Sequence, residues 1–181
     1  MNKILKAGIL LITLAIPAFV FIFLHGFGDN KFEVPLYYEE GVDTAFVSCT
    51  LEVPHRVLKS NLKDKITVVS FNKEQLNELN RLCVDYESYA EFQSILFYDS
   101  SKQQLGNRSA RLKNDQLKFS AVGDFSALLS CLFIIDESEL KEFPLVMVDQ
   151  DQRIRGYYYT SDTEEFERLI HELNIILENS K

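Results

Sequence analysis

The stretch that decides the reading is "DKITVVSFNKEQLNELNRL", residues 64–82. Ile66-Thr67-Val68-Val69-Ser70-Phe71 is short, β-branched and apolar, the composition of a buried strand. Asn72 opens a helix at once: it is a strong N-cap residue, and Gln75 follows three positions on, as in a capping box. Leu76, Leu79, Cys83, Tyr86 and Ala90 recur at spacings of three and four, the stripe of an amphipathic helix. The turn between strand and helix holds no cysteine, and Cys83, the next one along, sits on the apolar stripe.

Downstream, "FQSILFYD" (92–99) reads as the next strand, and "SSKQQLGNRSARLKND" (100–115) as a long polar loop. "QLKFSAV" (116–122) has strand character. Asp124 caps a short helix that buries Phe125, Leu128, Leu129 and Leu132. "FPLVMVDQDQRIRGYYY" (143–159) is an apolar strand, a four-residue polar turn and a second strand, hence a β-hairpin. Asp162 or Thr163 then caps "EEFERLIHELNIILE", where Phe166, Leu169, Ile170, Leu173, Ile176 and Leu177 form one apolar face. Upstream, "KFEVPLYYEEGVD" (31–43) reads as an edge strand or extended linker broken by Pro35. "AFVSCTLEVP" (45–54) is a further apolar run. The order strand–helix–strand–helix–strand–strand–helix predicts an α/β sandwich, a central mixed sheet flanked by helices.

Lys3 and Lys6 precede the uncharged run "AGILLITLAIPAFVFIFL" (7–24), which as a helix spans roughly 27 Å, close to the ~30 Å hydrocarbon core. Proline is tolerated in such a helix, as Pro17 requires. The positive end belongs in the cytoplasm, so the C-terminal bulk is expected outside it. A cleavable signal peptide is the rival reading. The run is long for one and continues into "HGFGDN" without a small-x-small site, which favours a retained anchor. The expected organisation is a transmembrane anchor over 1–28, a linker or edge strand over 29–44, and one extracytoplasmic domain over 45–181. Setting aside the two lysines of the anchor, 17 of the 19 basic residues face all 27 acidic ones, a formal charge of −10. That excess excludes a phosphate-binding basic face, so no nucleic-acid partner is expected.

The quoted strand and helix, the hairpin, the closing helix and the N-terminal anchor together resemble the thioredoxin-like superfamily. Within it they are most similar to membrane-anchored proteins of the SCO/SenC type, which assist copper delivery to cytochrome oxidase. The resemblance covers roughly residues 45–178 and implies a thioredoxin-like three-layer sandwich. In that family's hairpin turn, Asp-x-x-Gly is frequent; here Asp149 is present and Gln152 takes the glycine position. The family binds copper through a C-x-x-x-C pair after the first central strand and a histidine before the hairpin. This chain has "NKEQLNELN" (72–80) and "DESELKEF" (136–143) there, so the resemblance implies no copper site and no thiol–disulfide exchange. Neither is within reach of Asn, Lys or Glu side chains, since both need thiolates.

Relocated chemistry finds little support in the residues. Cys83 and Cys131 lie in apolar settings that favour buried, inert thiols, and Cys49 lies in a strand-like run. An exported chain can oxidise a pair, and Cys49–Cys131 is the first to test. His25, His55 and His171 are far apart in sequence and lack neighbouring ligands, so no metal site and no cofactor is expected, and each histidine reads as a surface or boundary residue. Two features mark an interaction surface. Tyr158 stands between Tyr157 and Tyr159 on an alternating strand, so the three divide between two faces, one of them open to a partner. Phe143-Pro144 stands where the superfamily commonly has a cis-proline beside its substrate groove. With Asn72 and Lys73 at the vacated turn, these residues form the candidate groove: Asn72, Lys73, Phe143, Pro144 and Tyr158. The expected function is non-catalytic protein binding by a membrane-anchored domain, with another membrane or exported protein as partner. By family analogy the setting is respiratory-complex assembly. The alternative is a thiol–disulfide or copper-handling protein using Cys49, Cys83 or Cys131 in a non-standard site.

Overall fold

The computed structural model describes residues 12–13, 15–22, 34–42, 49, 52–101, 114–137 and 142–180. The chain divides into two compact units, Met1–Glu33 and Val34–Lys181. In the first, residues 12–13 and 15–22 are helical. Their apolar side chains face outward, with Phe19 70 % and Phe21 71 % exposed. No helix among the described residues is long and apolar enough to cross a membrane. The rest of the 7–24 run lies outside them.

The second unit is built on a five-stranded sheet. Its strands are β1 (Ile66–Ser70), β2 (Phe92–Asp99), β3 (Leu117–Val122), β4 (Leu145–Val148) and β5 (Ile154–Tyr158), in the order β3-β2-β1-β4-β5. β1, β2 and β3 run parallel, whereas β4 is antiparallel to β1 and to β5. A 3-10 turn, Lys73–Gln75, leads into α1 (Leu76–Asp85), the crossover between β1 and β2. A short helix, α2 (Phe125–Ala127), continues as a π-helical turn, Leu128–Leu132, and α3 (Thr163–Asn179) closes the chain. Asn72, Asp124 and Asp162 all cap as the sequence predicts, accepting from the backbone N–H of Glu74, Ala127 and Glu164.

Strand alternation distributes the core between two faces. Ile66, Val68, Leu145 and Met147 pack with α1 and α3, through Leu79, Leu82, Cys83, Leu169, Leu173 and Leu177. Val69, Phe71, Val146 and Val148 pack on the other face with Leu128, Leu129, Phe133 and Val57. The layers are therefore helices, sheet, and then the π-turn with irregular chain. The result is a mixed sheet flanked by helices, the sandwich read from the order of elements.

Two departures have local causes. Residues 34–42 form no strand, yet they are not a free linker: Val34 is buried, Tyr37 donates its N–H to the Ile154 carbonyl, and Tyr37 and Tyr38 pack on the second core. The 45–54 run falls largely outside the described residues. In β5, Val148 pairs with Ile154 while Met147 pairs with Gly156, so Arg155 is an extra residue that bulges out. A bulge reverses which side chains face each core. Ile154 thus joins the second core and Tyr158 the first. Gly156 sits directly under the Tyr158 ring, where a Cβ would collide with it.

The hairpin turn keeps its shape without the glycine. Gln152 takes up φ 65°, and its side-chain amide donates to the Val57 and Lys59 carbonyls at 3.1 and 2.7 Å. Those bonds tie the turn to the segment preceding β1 and offset the left-handed strain. Gln152→Gly keeps the turn without strain but loses the two bonds; Gln152→Ala loses the bonds and keeps the strain. Chemical denaturation is expected to rank wild type above Gly and Gly above Ala, with Ala about 1 kcal/mol below Gly.

Candidate functional site

In parallel α/β sheets, ligands gather beyond the carboxyl ends of the strands. Here that end is built from the last residues of β1 and β5, the start of α1, and the residues entering β4. Ser70, the final residue of β1, donates its hydroxyl to Gln75 Oε1 at 2.6 Å. Gln75 Nε2 in turn donates to the Phe143 carbonyl at 2.7 Å and to Thr160 Oγ1 at 3.3 Å. Thr160 donates to Glu142 Oε1 at 2.8 Å. Gln75 is 3 % exposed. It does not turn back to the N-cap as a capping box requires. It points into the fold and clasps the start of α1 to the entry of β4, giving the part-buried Phe143 carbonyl a donor.

Phe71 fills the space beneath this clasp, with its ring 4.9 Å from Phe133, 6.3 Å from Phe125, 6.4 Å from Phe97 and 6.5 Å from Phe143. The strand-to-helix turn therefore consists of a packed aromatic ring and a satisfied amide. Burial pushes the Glu142 carboxyl up, but hydrogen bonds from Ser161 and Thr160 outweigh it and leave its pKa below the usual value. The charged carboxylate that Thr160 needs as acceptor is thus favoured.

The predicted groove residues divide. Asn72 is half-buried and committed to capping, Lys73 is exposed, and Phe143 and Pro144 border the site. Phe143–Pro144 is not among the cis bonds of the described residues; Val53–Pro54 is. Tyr158 is on the core side, fully buried, with its hydroxyl donated to Glu172 at 2.6 Å and Arg168 4.9 Å above its ring. The face it shares is packed against α3 and is not open. Pro144 instead meets the other two tyrosines: Tyr38, Ile134, Ile135, Asp136, Pro144, Tyr157 and Tyr159 line an open cavity of about 370 Å³.

The rim of that cavity contains what the sequence reading missed. His55, expected as a surface or boundary residue, is 3 % exposed and bonds through Nε2 to the Leu132 carbonyl at 2.9 Å. Tyr157 donates to the Phe133 carbonyl at 2.7 Å. Tyr37, Tyr38, Tyr157 and His55 meet edge to face, with centroids 5.4–6.5 Å apart. Pro54 and the clustered "LYY" were the available signals, but pairing across 77 residues (His55–Leu132) and 119 residues (Tyr38–Tyr157) leaves no periodicity to read. His171 is exposed on α3, and His25 lies outside the described residues. Among the described residues no three His, Cys, Asp or Glu side chains are grouped to hold a metal ion.

The cysteines separate by role. Cys83 is buried on α1 as expected, and burial raises its thiol pKa against the opposing influence of the adjacent Ser94. Cys131 is not the inert buried thiol read from its apolar setting. It is half-buried and bonded to Cys49, with 5.8 Å between Cα atoms. The π-turn presents Cys131 toward the segment ahead of β1, so the pair singled out in the sequence is the pair that is joined.

Two phenols should be silent in an alkaline titration. Burial raises the pKa of Tyr157 and of Tyr158, reinforced by Tyr38 at the first and by the Glu172 carboxylate at the second. A raised folded pKa contributes stability below the unfolded value near 10 that is lost as pH rises above it. Phenolate absorbance is therefore expected to stop short of the full eight tyrosines, with the remainder appearing only as the fold is lost.

No protein-family model and no curated protein matches the chain. Its folded part is similar to several solved structures. One is BsSco, a member of the Sco family of cytochrome c oxidase assembly proteins, at 13 % identity over 65 % of this chain and 83 % of that one, TM-score 0.47. Another is a SCO1/SenC family lipoprotein from Bacillus anthracis, at 13 % identity over 64 % and 83 %, TM-score 0.49. A third, described as the thiol:disulfide interchange protein DsbE of Chlorobium tepidum, is 11 % identical over 65 % and 84 %, TM-score 0.46. By strand order, strand direction and helix placement, the chain has a thioredoxin-like α/β fold.

Proposed function

We propose that this is a non-catalytic thioredoxin-like domain, held outside the cytoplasm by its N-terminal apolar run and acting by binding another membrane or exported protein. The observation that carries the reading is the Ser70–Gln75–Phe143 clasp over Phe71. Thiol exchange or copper(I) binding at this turn needs thiolates free to move and react. The residues here are locked by mutual hydrogen bonds. The free thiol that follows, Cys83, is buried and held protonated. The exposed apolar side chains of Ile12, Ile16, Phe19, Val20, Phe21 and Ile22 favour insertion into a bilayer, and the lysines before them favour the N-in orientation. The SCO/SenC resemblance directs the partner search to cytochrome oxidase assembly.

Two measurements on the full chain in detergent and in cells test this. Copper(I) competition against a chelator is expected to leave the protein metal-free; stoichiometric retention lost on Cys→Ser substitution would overturn the non-catalytic reading. A C-terminal reporter that is active only outside the cytoplasm, on a protein keeping residues 1–28, is expected. Activity in the cytoplasm, or a mature N-terminus beyond residue 24, would overturn the anchor.

A further inference from the structure

Three tyrosines and one carboxylate share the open cavity of about 370 Å³ beside Pro144: Tyr38, Tyr157 and Tyr159 with Asp136. No lysine, arginine or histidine is among the described residues that line it. The acidic character continues along the chain on both sides. Glu137 follows Asp136, Glu39 and Glu40 follow Tyr38, and all three are exposed. The whole sequence leans the same way, with 27 acidic to 19 basic residues.

The walls of the cavity are fixed before anything enters it. The Tyr157 hydroxyl donates to the Phe133 carbonyl at 2.7 Å and lies 3.3 Å from the Tyr38 hydroxyl, and the two rings meet edge to face with centroids 6.5 Å apart. The Tyr38 carbonyl accepts from the Gly41 and His55 amides at 3.3 and 3.2 Å, and the Tyr37 N–H donates to the Ile154 carbonyl at 3.0 Å. Ile134, which also lines the cavity, sits between buried Phe133 and Ile135, whose N–H groups donate to the Leu128 and Leu129 carbonyls. Its φ of 52° is unusual for a β-branched residue and persists only where the surroundings over-determine it. Tyr159, 39 % exposed, is the accessible ring. Little ordering remains to be done on binding, which favours a guest that fits.

The lining selects the charge of that guest. An anion is repelled by Asp136, and a purely apolar group would strip water from the carboxylate without replacing it. A cation is attracted both by aromatic rings and by the carboxylate. Guanidinium suits this pair better than ammonium: it is planar, weakly hydrated, stacks on aromatic faces and bonds a carboxylate through its fork. We propose that this cavity is the docking site for an arginine side chain of the partner protein, its guanidinium set against the tyrosine rings and paired with Asp136. The proposal rests on the binding function above and names the chemistry of the partner's anchor.

The test titrates the full chain in non-ionic detergent with the peptide acetyl-Ala-Ala-Arg-Ala-Ala-amide, followed by the chemical shifts of carbon-13-labelled tyrosine rings. Saturable shifts at Tyr38, Tyr157 and Tyr159 are expected. Replacing the peptide's arginine by citrulline, its neutral isostere, should weaken binding about tenfold, and lysine should weaken it several-fold. Tyr159→Ala should lower affinity about tenfold with the circular dichroism unchanged, since the ring is exposed. Asp136→Asn should lower it roughly fivefold and flatten its dependence on salt. No saturation by the arginine peptide, equal binding of the citrulline peptide, tighter binding of the lysine peptide, or wild-type affinity in Asp136→Asn would each overturn the proposal. None of these results touches the non-catalytic reading, which falls instead to copper retention.

Discussion

Phe71→Ala is expected to lower the unfolding free energy by about 3–5 kcal/mol, the range for truncating a fully buried phenylalanine. The ring is 1 % exposed, and four other phenylalanine rings surround it. Phe133, Phe125 and Phe143 come from connections after β3 and before β4, and they cannot follow a shrinking side chain without moving the π-turn or the Gln75 clasp. The cost should therefore fall near the upper end. Denaturant unfolding followed by circular dichroism measures it. A loss below about 1.5 kcal/mol would mean that the site collapses easily and that the aromatic packing is not what fills this turn.

Gln75→Leu should cost about 1–3 kcal/mol despite its similar size, because it leaves the Phe143 carbonyl without its donor, while the Ser70 hydroxyl keeps only the Asn72 carbonyl. Gln75→Glu is the sharper variant. Its carboxylate still accepts from Ser70 but turns an acceptor toward the Phe143 carbonyl, and it is charged inside the fold. Burial raises such a group's pKa, so the variant should lose most stability at neutral pH and regain part of it on acidification, as the protonated acid donates in place of the amide. Stability of Gln75→Glu that is flat between pH 7 and 4, relative to wild type, would show that the amide's donor role is unimportant.

These two residues also show where the sequence was legible. The strand at 66–71 and the helix after Asn72 follow from local composition and capping, and the structure has both. The apolar faces of α1 and α3 follow from helical period, as does the buried state of Cys83. The role of Gln75 did not follow. Its spacing from Asn72 fits a local box, whereas its observed partner lies 68 residues away, and only the sheet brings the two together. Tyr158 was assigned to a face by strict alternation, which cannot say which face is covered. The bulge at Arg155 also reverses the side chains before it. His55 was read as a surface or boundary residue and Tyr38 as part of an edge strand or linker, because nothing near them is periodic; both pack where irregular chain wraps on the second core.

At the end of β1 the chain uses Gln75 to fasten the start of α1 to the entry of β4. The exposed side chains at that end include Lys73, Glu74 and Tyr159.

The most direct measurement is dithiothreitol-driven reduction of insulin disulfides by the full chain, run beside thiol labelling of the folded protein. The account predicts a rate equal to the protein-free background and no labelling of Cys83 until the domain is unfolded. Turnover above background that is abolished by Cys83→Ala, or by Cys49→Ser or Cys131→Ser, would contradict it and make the protein an oxidoreductase.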